Sequence, residues 1–145
     1  RAINTIRLAN ATHRMLGNLL GTADIIAQMS DRCYLEKCRD RLFPEFVAGG
    51  LAARDETDQR AGLQFKSPED LVMKTPGFYS SAMDRLNNQL GGVYRFAQTH
   101  SNGRNLYLET IERNIRFATE VVRLRDISLL RRSPPPPGTK DTDLT

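Results

Sequence analysis

Asp24, Gln28 and Asp31 fall at i, i+4 and i+7, so a helix over this stretch lines them along one polar stripe. The surrounding segment, LGNLLGTADIIAQMSDRCYLEKC (residues 16–38), is otherwise small and apolar. A carboxylate buried among such side chains costs several kcal/mol unless it is paired or bound to a cation. Asp24, between Ala23 and Ile25, therefore calls for an arginine, a helix N-terminus or a metal ion beside it. The plainer reading is an acid in the first turn of a helix capped by Thr22, helped by the helix dipole. Gln28 and Asp31 then either line a pocket beside Asp24 or face solvent with Arg32 or Arg39 as partner. Tyr34 and Lys37 have the types to meet a phosphate, or to lay their stems over apolar neighbours.

Other chemistries have little to work with. His13 and His100 are the chain's two histidines, and neither stands in a metal-ligand spacing. His13 reads as a satisfied or exposed side chain, and His100 as a cation at a helix C-terminus. Cys33 and Cys38 are five apart; on a helix they point away from each other, so reduced thiols are expected. There is no Gly-rich dinucleotide fingerprint, no P-loop and no HExxH, and no Ser-His-Asp set assembles.

The elements that must carry these residues read as helices. Residues 2–16 show imperfect helical periodicity. Gly17 and Gly21 loosen the chain, so that either Thr22 caps a new helix or one helix runs on through both glycines. Residues 22–42 read as helix, Pro44 as an interruption, and PEFVAGG as a short helix stopped by Gly49 and Gly50. Residues 51–66 are polar, a short helix or a surface loop. Ser67-Pro68-Glu69-Asp70 is a helix start, with the serine as N-cap, proline in the first turn and acids on the dipole. Thr75-Pro76 repeats the device and predicts a second start. The stripe Phe78, Met83 or Ala82, Leu86, Leu90, Val93 and Phe96 or Ala97 follows, with a break or a close approach at Gly91-Gly92. Residues 105–124 give the clearest helix, with Asn105 as N-cap and Leu108, Ile111, Ile115, Ala118 and Val122 on one face. No strand pattern appears, and the class is all-α. After Arg132 the run SPPPPGTKDTDLT cannot pack, so a helical domain over 1–132 and a disordered, Pro-rich tail over 133–145 are expected.

Composition agrees with this reading. The chain has 145 residues, 39% hydrophobic and 26% charged, with net charge +4. The basic excess is mostly arginine and alternates with acids, as in RDETDQR and ETIERNIR, which argues against a nucleic-acid face. No apolar run approaches the ~20 residues of a membrane span, and no signal-peptide core follows the first charges. Arg1 rather than Met at the start leads us to expect a processed chain or a piece of a longer one.

The string LLGTADIIAQMSDRCYLEKCRDRLFPEFV resembles the C-terminal part of bacterial HD-domain proteins, the metal-dependent phosphohydrolase superfamily. KTPGFYSSAMDRLNNQLGGVY and GRNLYLETIERN look like the downstream helices of the same group. Together the resemblance spans residues 10–118. It implies a helical bundle holding one or two divalent ions by a His, a His-Asp doublet and a later Asp. The later Asp matches Asp24, which becomes a ligand to Fe, Mn, Zn or Mg. Such an ion activates water for attack on phosphorus. Gln28, Asp31, Tyr34 and Lys37 become the substrate-binding residues, and the substrate a phosphoester or nucleotide in the cytoplasm. No His-Asp dipeptide occurs in this chain, so the remaining ligands are expected upstream of Arg1. The chain is then the distal part of the fold, expected to pair with that upstream segment or with a second copy. The alternative is a non-catalytic helical module for binding or oligomerisation, with Asp24 as a structural acid.

Overall fold

Asn10 caps the first helix. Its Oδ1 accepts the His13 amide at 2.9 Å, and α1 runs over Ala11–Met29. The computed structural model describes Arg7 and residues 10–136. Of the helix expected over 2–16, residues 11–16 are helical, whereas Arg7 and Asn10 are not, because the chain is extended at Asn10; the remaining residues lie outside the described ones.

Helix α1 passes through Gly17 and Gly21, and Thr22 lies buried in its middle instead of capping a new start. A glycine costs a helix interior about 1 kcal/mol relative to alanine. Gly21 offsets this by admitting Leu90, whose Cδ2 lies 3.2 Å from where a Cβ would be. The break comes later than the glycines and earlier than Pro44, at residues 30–33. Asn114 Nδ2 donates to Met29 O at 2.8 Å and to Asp31 O at 2.7 Å, satisfying carbonyls that the helix end leaves open.

Then α2 (Tyr34–Lys37), a π-helical turn (Cys38–Leu42) and α3 (Phe43–Ala48) follow one another directly. Pro44 does not interrupt them. A proline ring clashes with the carbonyl four residues back, and widening the preceding turn to the π register relieves that clash. Residues 51–66 form a loop, with an isolated bridge between Ala52 and Phe65.

Helix α4 (Pro68–Asp84) starts as predicted, Ser67 Oγ accepting the Asp70 amide at 3.1 Å. The second start at Thr75-Pro76 does not occur: Pro76 lies inside α4, and Thr75 is buried with its hydroxyl donating to Leu71 O at 3.3 Å. Leu71, Val72 and Thr75 are all buried, and α4 packs on α5 and the π turn. That burial outweighs the proline penalty of about 3 kcal/mol. A second π turn (Arg85–Gln89) leads to Gly91 and Gly92, both at positive φ, where the chain does break. A 3-10 segment (Val93–His100) follows, and α5 (Leu106–Leu124) starts from Asn105, whose Oδ1 accepts the Leu108 amide at 3.1 Å.

The regular structure is all helical, with no strand among the described residues. No helix among them is long and apolar enough to cross a membrane. Three buried clusters form the core, centred on Leu86, Leu90 and Ile111, on Val72, Ala118 and Val121, and on Leu71 and Phe65. Tyr34 packs against all three. Residues 133–136 have no regular structure, and the rest of the expected tail lies outside the described residues.

One face of α1 is left uncovered by the described residues. Leu16 and Leu20 are 57% and 75% exposed, and Ala23 and Ala27, at i+7 and i+11 from Leu16, are exposed too. Of the two residues offered for the end of the buried stripe, Ala97 is half-buried and Phe96 is 54% exposed on the neighbouring 3-10 segment. The apolar character of residues 16–38 therefore does not mean burial along its whole circumference.

Candidate functional site

The end of α1 and the helical run from Tyr34 meet at an angle set by the turn at residues 30–33. The concave side of that junction is an open groove of about 480 Å³ lined by Gln28, Asp31, Tyr34, Lys37, Arg41 and Glu45, with Cys38 in its wall. All four residues expected to bind substrate thus share one groove. The spacing explains part of it: Tyr34, Lys37, Arg41 and Glu45 lie at i, i+3, i+7 and i+11 along the run, while Gln28 comes from the last turn of α1 and Asp31 from the turn that follows it.

Asp31 is the hinge of the site. Its Oδ1 accepts the Cys33 amide at 2.7 Å and its Oδ2 is ion-paired to Lys37. Burial works against this carboxylate, but Lys37, the Cys33 amide and Arg32 together hold its pKa below the usual carboxylate range. Asp31 is consequently an anion that fixes Lys37, not a proton donor.

Tyr34 and Cys38 form the wall. Burial and the adjacent Cys38 raise the tyrosine pKa, and burial pushes the Cys38 thiol up to about 11, against the opposing hydrogen bond from Tyr34. Both groups are protonated at neutral pH, so the thiol is no nucleophile there. Cys33 and Cys38 are both free, as their spacing predicts, and both are buried.

Compared with protein-family models, curated proteins and solved structures, the chain matches none. The site therefore has to be read from its own geometry.

Asp24 departs from its expected place. It is exposed, not buried, and does not line the groove; its Oδ1 accepts Gln28 Nε2 at 2.7 Å. The reason is the uncovered face of α1: Asp24 sits four residues after Leu20, at the edge of that face, where nothing among the described residues covers it. Its partner is an amide, not a cation or a basic group. Among the described residues no three His, Cys, Asp or Glu side chains converge to hold a metal ion. Asp24 fits a divalent ion only as one ligand among several.

Arg41 and Glu45 lie on either side of Pro44, and an interruption at that proline separates the two, although the helical run carries both to one groove. Extending the stripe Tyr34–Lys37 by one turn reaches Arg41, and by a second turn Glu45. Asn114, which fixes the turn from a helix 83 residues further on, left no local signal.

Proposed function

We propose that this chain is the distal part of an HD-type, metal-dependent phosphohydrolase acting on a phosphoester or nucleotide. The observation that carries the reading is the place of Asp24. It stands between the uncovered apolar face of α1 and the groove, linked to the groove by Gln28. Helices docking on Leu16, Leu20 and Ala23 would bring their own side chains beside Asp24 and exclude water from it. An upstream segment bearing a His and a His-Asp doublet would complete a divalent site there, for Fe, Mn, Zn or Mg. Such an ion supplies an activated water and polarises the phosphoryl group.

The groove's own residues have roles independent of that ion. Lys37 and Arg41, one turn apart, offer cationic donors to phosphate oxygens. Asp31 holds the Lys37 ammonium in place, and Gln28 orients Asp24. Tyr34 supplies a rigid wall. The two free, buried thiols suit a reducing, cytoplasmic setting.

The test compares this chain with one extended by its natural upstream sequence, each with Asp24 and with Asp24→Asn, by metal analysis and hydrolysis of bis(p-nitrophenyl) phosphate. The extended chain should bind a divalent ion and turn over substrate, and Asp24→Asn should remove both. The 145-residue chain alone should be inactive. Metal binding in the extended chain that ignores Asp24→Asn refutes the reading.

The exposed leucines of α1 with Phe96 favour a second reading, a non-catalytic helical module that covers this face with another copy of itself. Light scattering separates the two. A symmetric dimer abolished by Leu20→Glu, with no metal bound by the extended chain, supports the module.

A further inference from the structure

The segment after α5 returns across the outer side of α2 and stays there through a series of backbone contacts. Arg39 Nη1 donates to Leu130 O at 3.4 Å, and the Arg132 amide donates to Glu36 Oε1 at 3.2 Å. The Arg132 guanidinium donates to Arg32 O. Glu36 is only 2% exposed, so this strap covers a carboxylate that needs a donor. Its end reaches the groove: the Arg41 guanidinium donates to Pro135 O.

That last contact joins ill-matched partners. A guanidinium binds carboxylate or phosphate through paired, charge-assisted hydrogen bonds. Here, among the described residues, the hydrogen-bond partner of the Arg41 guanidinium is a neutral carbonyl, one turn from Lys37 and on the lining of the groove. Proline fixes φ, so Ser-Pro-Pro-Pro loses little freedom on lying down and makes a weak acceptor competitive. Lys37, by contrast, is already tied to Asp31.

We infer that Arg41 is the oxyanion-holding residue of the groove, and that Pro134–Pro136 is a built-in competitor for its guanidinium. The inference rests on the reading of the groove as a site for phosphorylated molecules. The Pro135 carbonyl oxygen occupies the place of a ligand oxygen. A phosphate entering the groove displaces the proline segment, and whatever draws that segment away raises the groove's affinity. Apparent affinity is reduced by the fraction of molecules in which Arg41 is occupied.

The experiment uses the full chain, the variant P134G/P135G/P136G, and Arg41→Gln. Ser133, Pro135 and Pro136 are exposed and Pro134 is half-buried, outside the three core clusters, so the glycine variant keeps the core intact. Two readouts are taken: the Arg41 side-chain Nε–Hε resonance, identified by its loss in Arg41→Gln, and the dissociation constant for inorganic phosphate by calorimetry. The glycine variant should shift the resonance and bind phosphate about tenfold more tightly, since three stiff residues have been loosened. Arg41→Gln combined with the glycines should lose that gain. A resonance that does not move overturns the strap contact itself. A resonance that moves with equal phosphate affinity in both chains overturns the competition. A resonance that moves while no chain binds phosphate sinks the phosphate reading of the groove, and the competitor role with it.

Discussion

Asn114→Ala tests whether α5 sets the geometry of the groove. The Asn114 amide donates to Met29 O at 2.8 Å and Asp31 O at 2.7 Å, and so fixes the turn that carries the Asp31 carboxylate toward Lys37. A neutral hydrogen bond contributes about 1 kcal/mol net, so losing two predicts about 2 kcal/mol. Asn114 is half-buried, and water reaching the orphaned carbonyls lowers the figure toward about 1 kcal/mol. The assay is urea unfolding followed by circular dichroism, with the midpoint falling at unchanged slope. Asn114→Asp is the sharper companion. It turns a donor into a carboxylate oxygen facing two carbonyl oxygens, so at neutral pH it should destabilise more than alanine does. Acidification should narrow that gap as the aspartate protonates and regains a donor. A loss below about 0.5 kcal/mol for alanine, the range of an ordinary surface change, together with a tolerated aspartate, would refute the argument.

Cys38 predicts a pH dependence at the alkaline end. Its folded pKa of about 11 lies above the roughly 8.5 of a free thiol, so the unfolded chain releases this proton first. The stability it contributes is fully present below that lower value and is lost as pH rises through about 11; Cys38→Val should flatten the slope in urea midpoints taken between these limits, and iodoacetamide should label native Cys38 very slowly at pH 8. For Tyr34, which touches all three core clusters, truncation to alanine should cost on the order of 3–5 kcal/mol. Tyr34→Phe should cost only about 1 kcal/mol for the lost hydroxyl contact, and thermal melts showing the two variants alike would mean the ring is not a core element.

Much of the local structure was legible in the residues themselves. Ser67-Pro68 and Asn105 start helices because a side-chain oxygen three residues before a free amide caps it wherever the helix goes. The face of α5 that carries Leu108, Ile111, Ile115 and Ala118 follows from periodicity, as does the absence of strands among the described residues. The sharing of one groove by Gln28, Asp31, Tyr34 and Lys37 does not, because the helix expected over 22–42 has no break, whereas the turn at residues 30–33 is held by Asn114 from α5. Thr75-Pro76 carries the same starting signal as Ser67-Pro68, yet the helix runs through it, because Leu71, Val72 and Thr75 are buried against α5 and the π turn. Pro44 is likewise absorbed by a π turn that no local rule foretells. The exposure of Asp24 was beyond the sequence for a different reason. An apolar helix stripe records what a face is suited to touch, but only the packed elements decide which faces are covered, and α1 turns Ile26 and Met29 inward while leaving Leu16, Leu20 and Ala23 outside. Asn114 on the turn and Pro135 on Arg41 come from residues 83 and 94 positions away. Contacts at that separation are set by the way helices stack, which periodicity within one helix does not encode.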